Sequence, residues 1–239
     1  MRLLSLRPTL MVVLLAACGR TDVIKQAEAR TSEKVASTTT SSANGIAPAG
    51  MPRDSISDRA DRGRIMGDSN ATLWVIMASD FQCPYCKDWH DKQFAAVMQD
   101  AAKKPVRIAF WNFPLQMHRN ALPASEAAMC ASVQNKFWPM HEGLFATQKK
   151  WEGMQNPTPL FDSLATASGV NMTPYRECVS KHLTLPLIEA DRERARQSGV
   201  QSTPTFFVGG EMLLGADKDI HAAIDAALAK GRGAKKPGN

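Results

Sequence analysis

The chain has 239 residues, 29 Lys and Arg against 23 Asp and Glu, and a formal net charge of +6. With 44% hydrophobic residues it is long and apolar enough for one domain with a real core. The positive charge gathers partly at the C-terminal end (Lys230, Arg232, Lys235, Lys236) and forms no basic stripe interleaved with aromatics, which excludes a nucleic-acid-binding reading.

The first element is a targeting segment. Arg2 and Arg7 supply a positive start, and Leu10–Leu15 is an apolar run too short to span a bilayer, so residues 1–17 read as a signal peptide. Leu15-Ala16-Ala17-Cys18 resembles the bacterial lipobox, which makes Cys18 the expected lipidation site. The alternative is an ordinary secretory cleavage near Ala17 with Cys18 incidental. Either way the chain is expected outside the cytoplasm, in the periplasm or cell envelope, and with the lipid it would be membrane-anchored as a lipoprotein. Its thiols then meet an oxidising compartment. Residues 18–60 carry Ser/Thr and Ala/Pro/Gly runs of linker composition and read as a flexible tether, with an r.m.s. reach of about 35–40 Å.

The folded part is expected over residues 61–230. Arg64–Gly67 reads as a short strand, Leu73–Ala78 as a buried strand, and Lys87 to about Ala102 as a helix. Between the last two lies Phe81-Gln82-Cys83-Pro84-Tyr85-Cys86. A strand, a Cys-x-x-Cys and a helix together make a thiol reactive. Cys83 would sit at the helix N-terminus, where unpaired N–H groups and the macrodipole favour a thiolate. Cys86 lies one turn in, close enough to close a disulfide. Such a pair can hold two electrons and pass them on. Structural zinc would need four ligands, and no second Cys-x-x-Cys exists, with His90 the only nearby imidazole. No metal is therefore expected. A purely structural disulfide in so short a ring would add little stability.

Val106–Trp111 is the next strand. Helices follow over Pro123–Gln134, Trp138–Lys149, Leu160–Ser168, Pro174–His182 and Leu187–Gln197, a helical block of about 119–198. Thr205–Val208 and Glu211–Leu214 form a hairpin around Gly209-Gly210, and Asp217–Ala229 is a last helix capped by Asp217 or Asp219. Residues 231–239 read as a frayed tail. Of the five cysteines, setting aside Cys18 leaves two pairs, so Cys130 and Cys178 are expected to form a structural disulfide in an exported chain. The alternative is two buried free thiols.

Strand–helix–strand, a helical block, then hairpin and helix reads as an α/β protein, a thioredoxin fold with an inserted helical subdomain. Ser79–Cys86 resembles the active-site segment of DsbA-like thiol:disulfide oxidoreductases. Asn112-Phe113-Pro114-Leu115 with His118, and Lys136-Phe137-Trp138-Pro139-Met140-His141, resemble that family's strand exit and insert. Gly199–Phe207 resembles its cis-proline segment. The resemblance runs from about Ile65 to Leu228 and implies the following roles. Cys83 is the attacked or attacking sulfur and Cys86 the resolving one. Pro84 and Tyr85 tune the thiolate. Pro204 is cis and faces the disulfide, and Thr203 offers its backbone and hydroxyl near Cys83, leaving backbone free to pair with a substrate chain. The implied partners are exported proteins with cysteine thiols and a redox partner that resets the site, with no organic cofactor. His118 and His141 read as packing or capping residues. Net oxidation is the expected direction. Isomerase or reductase activity of the same fold, or a non-catalytic tethered module that binds client proteins, are the rival readings.

Overall fold

The computed structural model describes residues 55–234. The expected signal peptide, Cys18, nearly all of the expected tether and the last five residues lie outside the described residues. Helix α1 (Ile56–Gly63) opens the fold, with a reciprocal capping box between Ser55 and Asp58. The tether reading to residue 60 is therefore too long. Ala60 is fully buried in the core, and the Ser132 hydroxyl donates to its carbonyl at 2.6 Å. The cap and that packing hold a segment whose composition alone looked like linker.

Five strands form one mixed sheet: β1 (Ile65–Gly67), β2 (Leu73–Ser79), β3 (Val106–Asn112), β4 (Thr205–Val208) and β5 (Glu211–Leu214), in the order β1-β3-β2-β4-β5. Strands β2 and β3 run parallel, with Leu73 opposite Val106 and Ser79 opposite Asn112. The other pairings are antiparallel. Central β2 reads as a nearly continuous apolar run: one face is buried throughout, and the other is covered towards Ser79 and opens to solvent at Trp74. The Gly209-Gly210 turn has positive φ at both residues, 58° and 92°, the geometry that a two-residue hairpin demands.

The expected first helix is three segments: α2 (Pro84–Trp89), a π-helical turn (His90–Phe94) and α3 (Ala95–Lys103). It begins at Pro84 rather than Lys87, because proline suits the first helical position. The π turn adds a residue to the helical repeat, and its His90 and Phe94 are both buried.

Between β3 and β4 stand six helices: α4 (Ala121–Ser132), α5 (Phe137–Ala146), α6 (Gln148–Trp151), α7 (Thr158–Ala167), α8 (Met172–Ser180) and α9 (Leu185–Gln197). The expected helix Trp138–Lys149 is split at Thr147, whose hydroxyl donates to Gly143 O at 2.7 Å and closes α5. Helix α10 (Ile220–Ala234) is capped by Asp219, which accepts from Ala222 N at 2.9 Å. It runs four residues into the expected frayed tail, on a sequence of good helix formers broken only by two glycines.

One device ties the helical block to the sheet, and a second braces the block internally. Buried Asp191 on α9 accepts from Asn112 N at 3.1 Å and Asn112 Nδ2 at 3.0 Å, and pairs with the buried Arg64 guanidinium, which also donates to Phe110 O at 3.0 Å. Cys130 on α4 is bonded to Cys178 on α8, with Cα atoms 5.7 Å apart and a sequence separation of 48. A loop of that length limits the unfolded chain enough to stabilise the fold by about 4 kcal/mol. Replacing both cysteines with Ala should therefore lower the thermal midpoint by roughly 8–16 °C, while disulfide exchange at Cys83 and Cys86 continues. An unchanged melting curve would show that the bridge contributes nothing.

Candidate active site

Strand β2 delivers the chain to the site, and the turn after it is fixed by side chains. Asp80 is fully buried. Its carboxylate accepts from Gln82 N at 2.7 Å, Leu115 N at 2.9 Å and His118 Nδ1 at 2.7 Å. The segment leaving β3 is thereby pinned to the segment entering the Cys-x-x-Cys. The helical block holds the same turn from the other side. Gln148 Nε2 donates to Phe81 O at 2.7 Å and Cys83 O at 3.0 Å. Gln82 donates to Glu152 O at 3.0 Å and accepts from Asn120 N at 2.7 Å. The first turn of α2 is thus pre-set before any substrate arrives.

Cys83 is the N-cap residue of α2, with extended φ and ψ of −67° and 125°, and Cys86 lies in the first turn. Both are free thiols and both are buried, Cys83 3% exposed and Cys86 1%. Their environments differ sharply. A hydrogen bond from the Cys86 thiol is the main reason that Cys83 is held down to about 6. Burial works against this, while the Thr203 side chain and the N–H groups of Cys86 and Tyr85 add to it. Cys86 is pushed well above the ordinary thiol range, first by its complete burial and then by the neighbouring Cys83. The asymmetry expected from the helix N-terminus is present, and it comes from specific donors around one sulfur.

Across from the thiols, the Thr203–Pro204 peptide is cis. Thr203 O lies 3.5 Å from Cys83 Sγ. Pro204 O accepts from Gly215 N at 3.0 Å, which ties this loop to the end of β5. Pro84 fills the first helical position, and Tyr85 is 67% exposed beside Cys83. One shallow depression, lined by Tyr85, Ser202, Thr203 and Gly215–Asp217, borders the thiols on one side. A second, with Phe113, Leu115, Met117 and Val200 among its lining, carries Arg192 and Arg196 at its edge. Met117 is 81% exposed.

The structure thus brings Cys83, Pro84, Tyr85, Cys86, Thr203 and Pro204 to one place. Cys130 and Cys178 stand apart from it, in the helical block. His118 is a partner of Asp80, and His141 is buried in a cage of aromatic rings, with centroids 4.6 Å away for Phe94 and 5.0 Å for Phe145. Residue-by-residue reading missed Asp80, Gln82 and Gln148. The first two stood inside the motif, but their roles depend on partners 35 or more residues away. Nothing in the sequence singles out Gln148 among the chain's glutamines.

The arrangement can perform one chemistry directly: attack of a thiolate on Cys83 when it is in a disulfide, or attack by the Cys83 thiolate on another disulfide. In the reduced protein, alkylation should fall on Cys83 and reach half its maximal rate near pH 6, as peptide mapping after a brief iodoacetamide pulse would read. Labelling of Cys86 first would reverse the two roles.

The family that matches this chain is described as thioredoxin, and the match covers residues 59–226. Over 172 residues the chain is 31% identical to "Na(+)/H(+) antiporter NhaA 1" of Salinispora arenicola, covering 71% of this chain and 25% of that protein. It thus spans about a quarter of the length of the first curated relatives that it matches. It is 26% identical over 156 residues to "Disulfide bond formation protein D" of Bacillus subtilis, covering 62% of this chain and 68% of that one. Among solved structures, alpha-DsbA1 of Wolbachia pipientis superposes with a TM-score of 0.63 at 18% identity, over 72% of this chain and 94% of that one.

Proposed function

The chain belongs to the thioredoxin family, with the thioredoxin fold and a helical insertion, and on that premise we propose that it is a protein thiol:disulfide oxidoreductase acting outside the cytoplasm as a net oxidant. The observation that carries the reading is the split between the two thiols. Cys83 is held near pKa 6 and Cys86 well above the ordinary range, in one helical turn facing a cis-proline loop. A client thiolate attacks Cys83 Sγ, the Cys83–Cys86 bond breaks, and Cys86 leaves with the electron pair and takes a proton. A second client thiolate then attacks the client sulfur, forms the client disulfide and releases Cys83 as a thiolate. Release of a stabilised thiolate drives the cycle towards client oxidation.

Clients are exported proteins with cysteine thiols, docking along Thr203 and the depressions beside Tyr85 and Met117. A redox partner takes the two electrons from the dithiol. Cys18 carries lipid and residues 19–54 act as the tether. Among the described residues no helix is long and apolar enough to cross a membrane. In this reading the anchor is a lipid at Cys18. The Bacillus subtilis relative named for disulfide bond formation supports the direction.

The test is the recovery of activity by a reduced, unfolded secreted ribonuclease mixed with the oxidised full chain. Stoichiometric appearance of client disulfides, with loss of the Cys83–Cys86 disulfide, is the expected result. Tight binding of the client without thiol consumption would make the chain a tethered binding module instead. Rescue of a scrambled client, without net oxidation of a reduced one, would make it an isomerase.

A further inference from the structure

The geometry points to a water-binding site beneath the Cys83–Cys86 pair, in which one water held by Trp89 and His141 donates a hydrogen bond to Cys86 and stabilises the charge that develops on its sulfur during exchange. The inference rests on the oxidoreductase reading above and adds a component that this reading leaves open, a donor for the charge that develops on Cys86.

An internal cavity of about 10 Å³ lies there, lined by Ser79, Cys86, Trp89 and His141, with Met77 and three phenylalanines closing it. That volume admits the centre of a single water. Two of the lining side chains carry a buried polar atom with no hydrogen-bond partner, Trp89 Nε1 and His141 Nδ1. Leaving either atom unsatisfied in an apolar core costs about 1–3 kcal/mol, so two such atoms on one water-sized cavity call for a shared partner. One water meets every requirement. Trp89 Nε1–H donates to its oxygen, one O–H donates to His141 Nδ1, and the second O–H is left for Cys86 Sγ. When Cys86 is protonated its S–H is directed at Cys83, and the second O–H of the water still donates to Cys86 Sγ.

Against its burial, the Asp80 N–H and the Ser79 hydroxyl already act to lower the Cys86 pKa, and the water adds a third donor at this sulfur. Cys86 is fully buried and its thiol pKa is raised, which makes its thiolate a poor leaving group. As the Cys83–Cys86 bond breaks, negative charge develops on Cys86 Sγ, where a fixed donor acts most strongly. No carboxylate lines the cavity. The titratable groups around His141 are Cys86 on α2, His90 on the π turn with ring centroids 5.3 Å away, and Glu142 next to it on α5. His90 is engaged with Glu142 at 3.3 Å and Asp91 at 3.4 Å. Burial, with His90 close by, keeps His141 neutral, and a neutral ring can offer Nδ1 as an acceptor. His141 is therefore a positioning residue that acts through the water.

The test uses the full chain in its oxidised form, with glutathione as the attacking thiol and tryptophan fluorescence in stopped flow from pH 5 to 9. His141→Phe should slow reduction of the disulfide by about tenfold or more and change its pH profile. His141→Asn, which keeps an acceptor near the Nδ1 position, should recover most of the rate. Alkylation of Cys83 in the reduced protein should stay within about twofold in both variants, since the water does not touch that sulfur. Trp89→Phe removes the donor and should reproduce the slowing, which keeps the test open if His141→Phe fails to fold. Unchanged glutathione kinetics in folded His141→Phe, or Asn performing no better than Phe, would overturn the inference and leave the oxidoreductase reading intact. A wild-type disulfide that glutathione and clients cannot reduce would overturn both.

Discussion

Substituting Cys83 with Ser should abolish disulfide exchange, with client oxidation falling at least about 10³-fold, because a serine hydroxyl can neither form the mixed disulfide nor store the electron pair. Cys86→Ser should fail differently. It retains the Cys83 nucleophile, so it should accumulate a stable mixed disulfide with a client disulfide or with oxidised glutathione, visible as a mass shift and reversed by dithiothreitol. The two variants at Cys86 carry a finer expectation. Hydrogen bonding from the Cys86 thiol is the largest influence holding Cys83 near 6. Cys86→Ala removes that donor, so the alkylation midpoint of Cys83 should move up towards the ordinary thiol range. Cys86→Ser keeps an O–H and should move it less. A mixed disulfide trapped by Cys83→Ser, and none by Cys86→Ser, would show that the outer and inner roles are exchanged. A Cys83 midpoint near 6 in Cys86→Ala would place the cause in the backbone N–H groups and Thr203 instead.

The parts legible in the sequence were those that local chemistry decides. Cys83 and Cys86 announce themselves by spacing and by the strand and helix around them. The β4–β5 hairpin is set by Gly209-Gly210, and its observed limits are those read from the sequence. Helix limits in the insertion came within a few residues where Gly or Pro punctuates the chain, as at Gly169 and Gly199. What stayed hidden depends on partners distant in sequence. Helix α1 was lost in a region of linker composition because its reason to form is Ala60 in the core and Ser132 on its carbonyl. The π turn could not be read, since inward placement of both His90 and Phe94 is decided by the aromatic cluster that receives them. Asp80 read as part of a motif, yet its function as the pin between two loops needs Leu115 and His118. His141 read as a packing residue. Burial among rings agrees with that, and only its position on the same cavity as Cys86 raises a further role.

The reduction potential should lie on the oxidising side of thioredoxin's, roughly −270 mV. A thiolate stabilised in the folded protein favours the reduced form, and only the reduced form has it. With Cys83 at about 6 against about 8.5 for a free thiol, the reduced form gains roughly tenfold at pH 7, which raises the potential by about 30 mV over an otherwise identical dithiol. Against a thioredoxin-like thiol of pKa about 7 the gain at the same pH is still about 20 mV. Cys86 adds nothing at pH 7, because with its raised pKa it is protonated in either environment. The sign with pH follows from linkage. A folded-state pKa below the unfolded one stabilises the reduced fold fully above about 8.5 and loses that stabilisation as pH falls through about 6. Above the ordinary thiol range the raised pKa of Cys86 acts in the opposite sense and limits the gain. The excess stability of the reduced over the oxidised full chain should therefore grow from pH 5 to pH 8 and level off beyond. Equilibration with a glutathione series at pH 7, read as the oxidised fraction, and paired denaturant melts at pH 5 and 8 would measure both. A potential at or below thioredoxin's would make the chain a reductase, with electrons flowing out through Cys83 to its clients. A stability difference that does not change with pH would remove the thiolate as the source of any oxidising power.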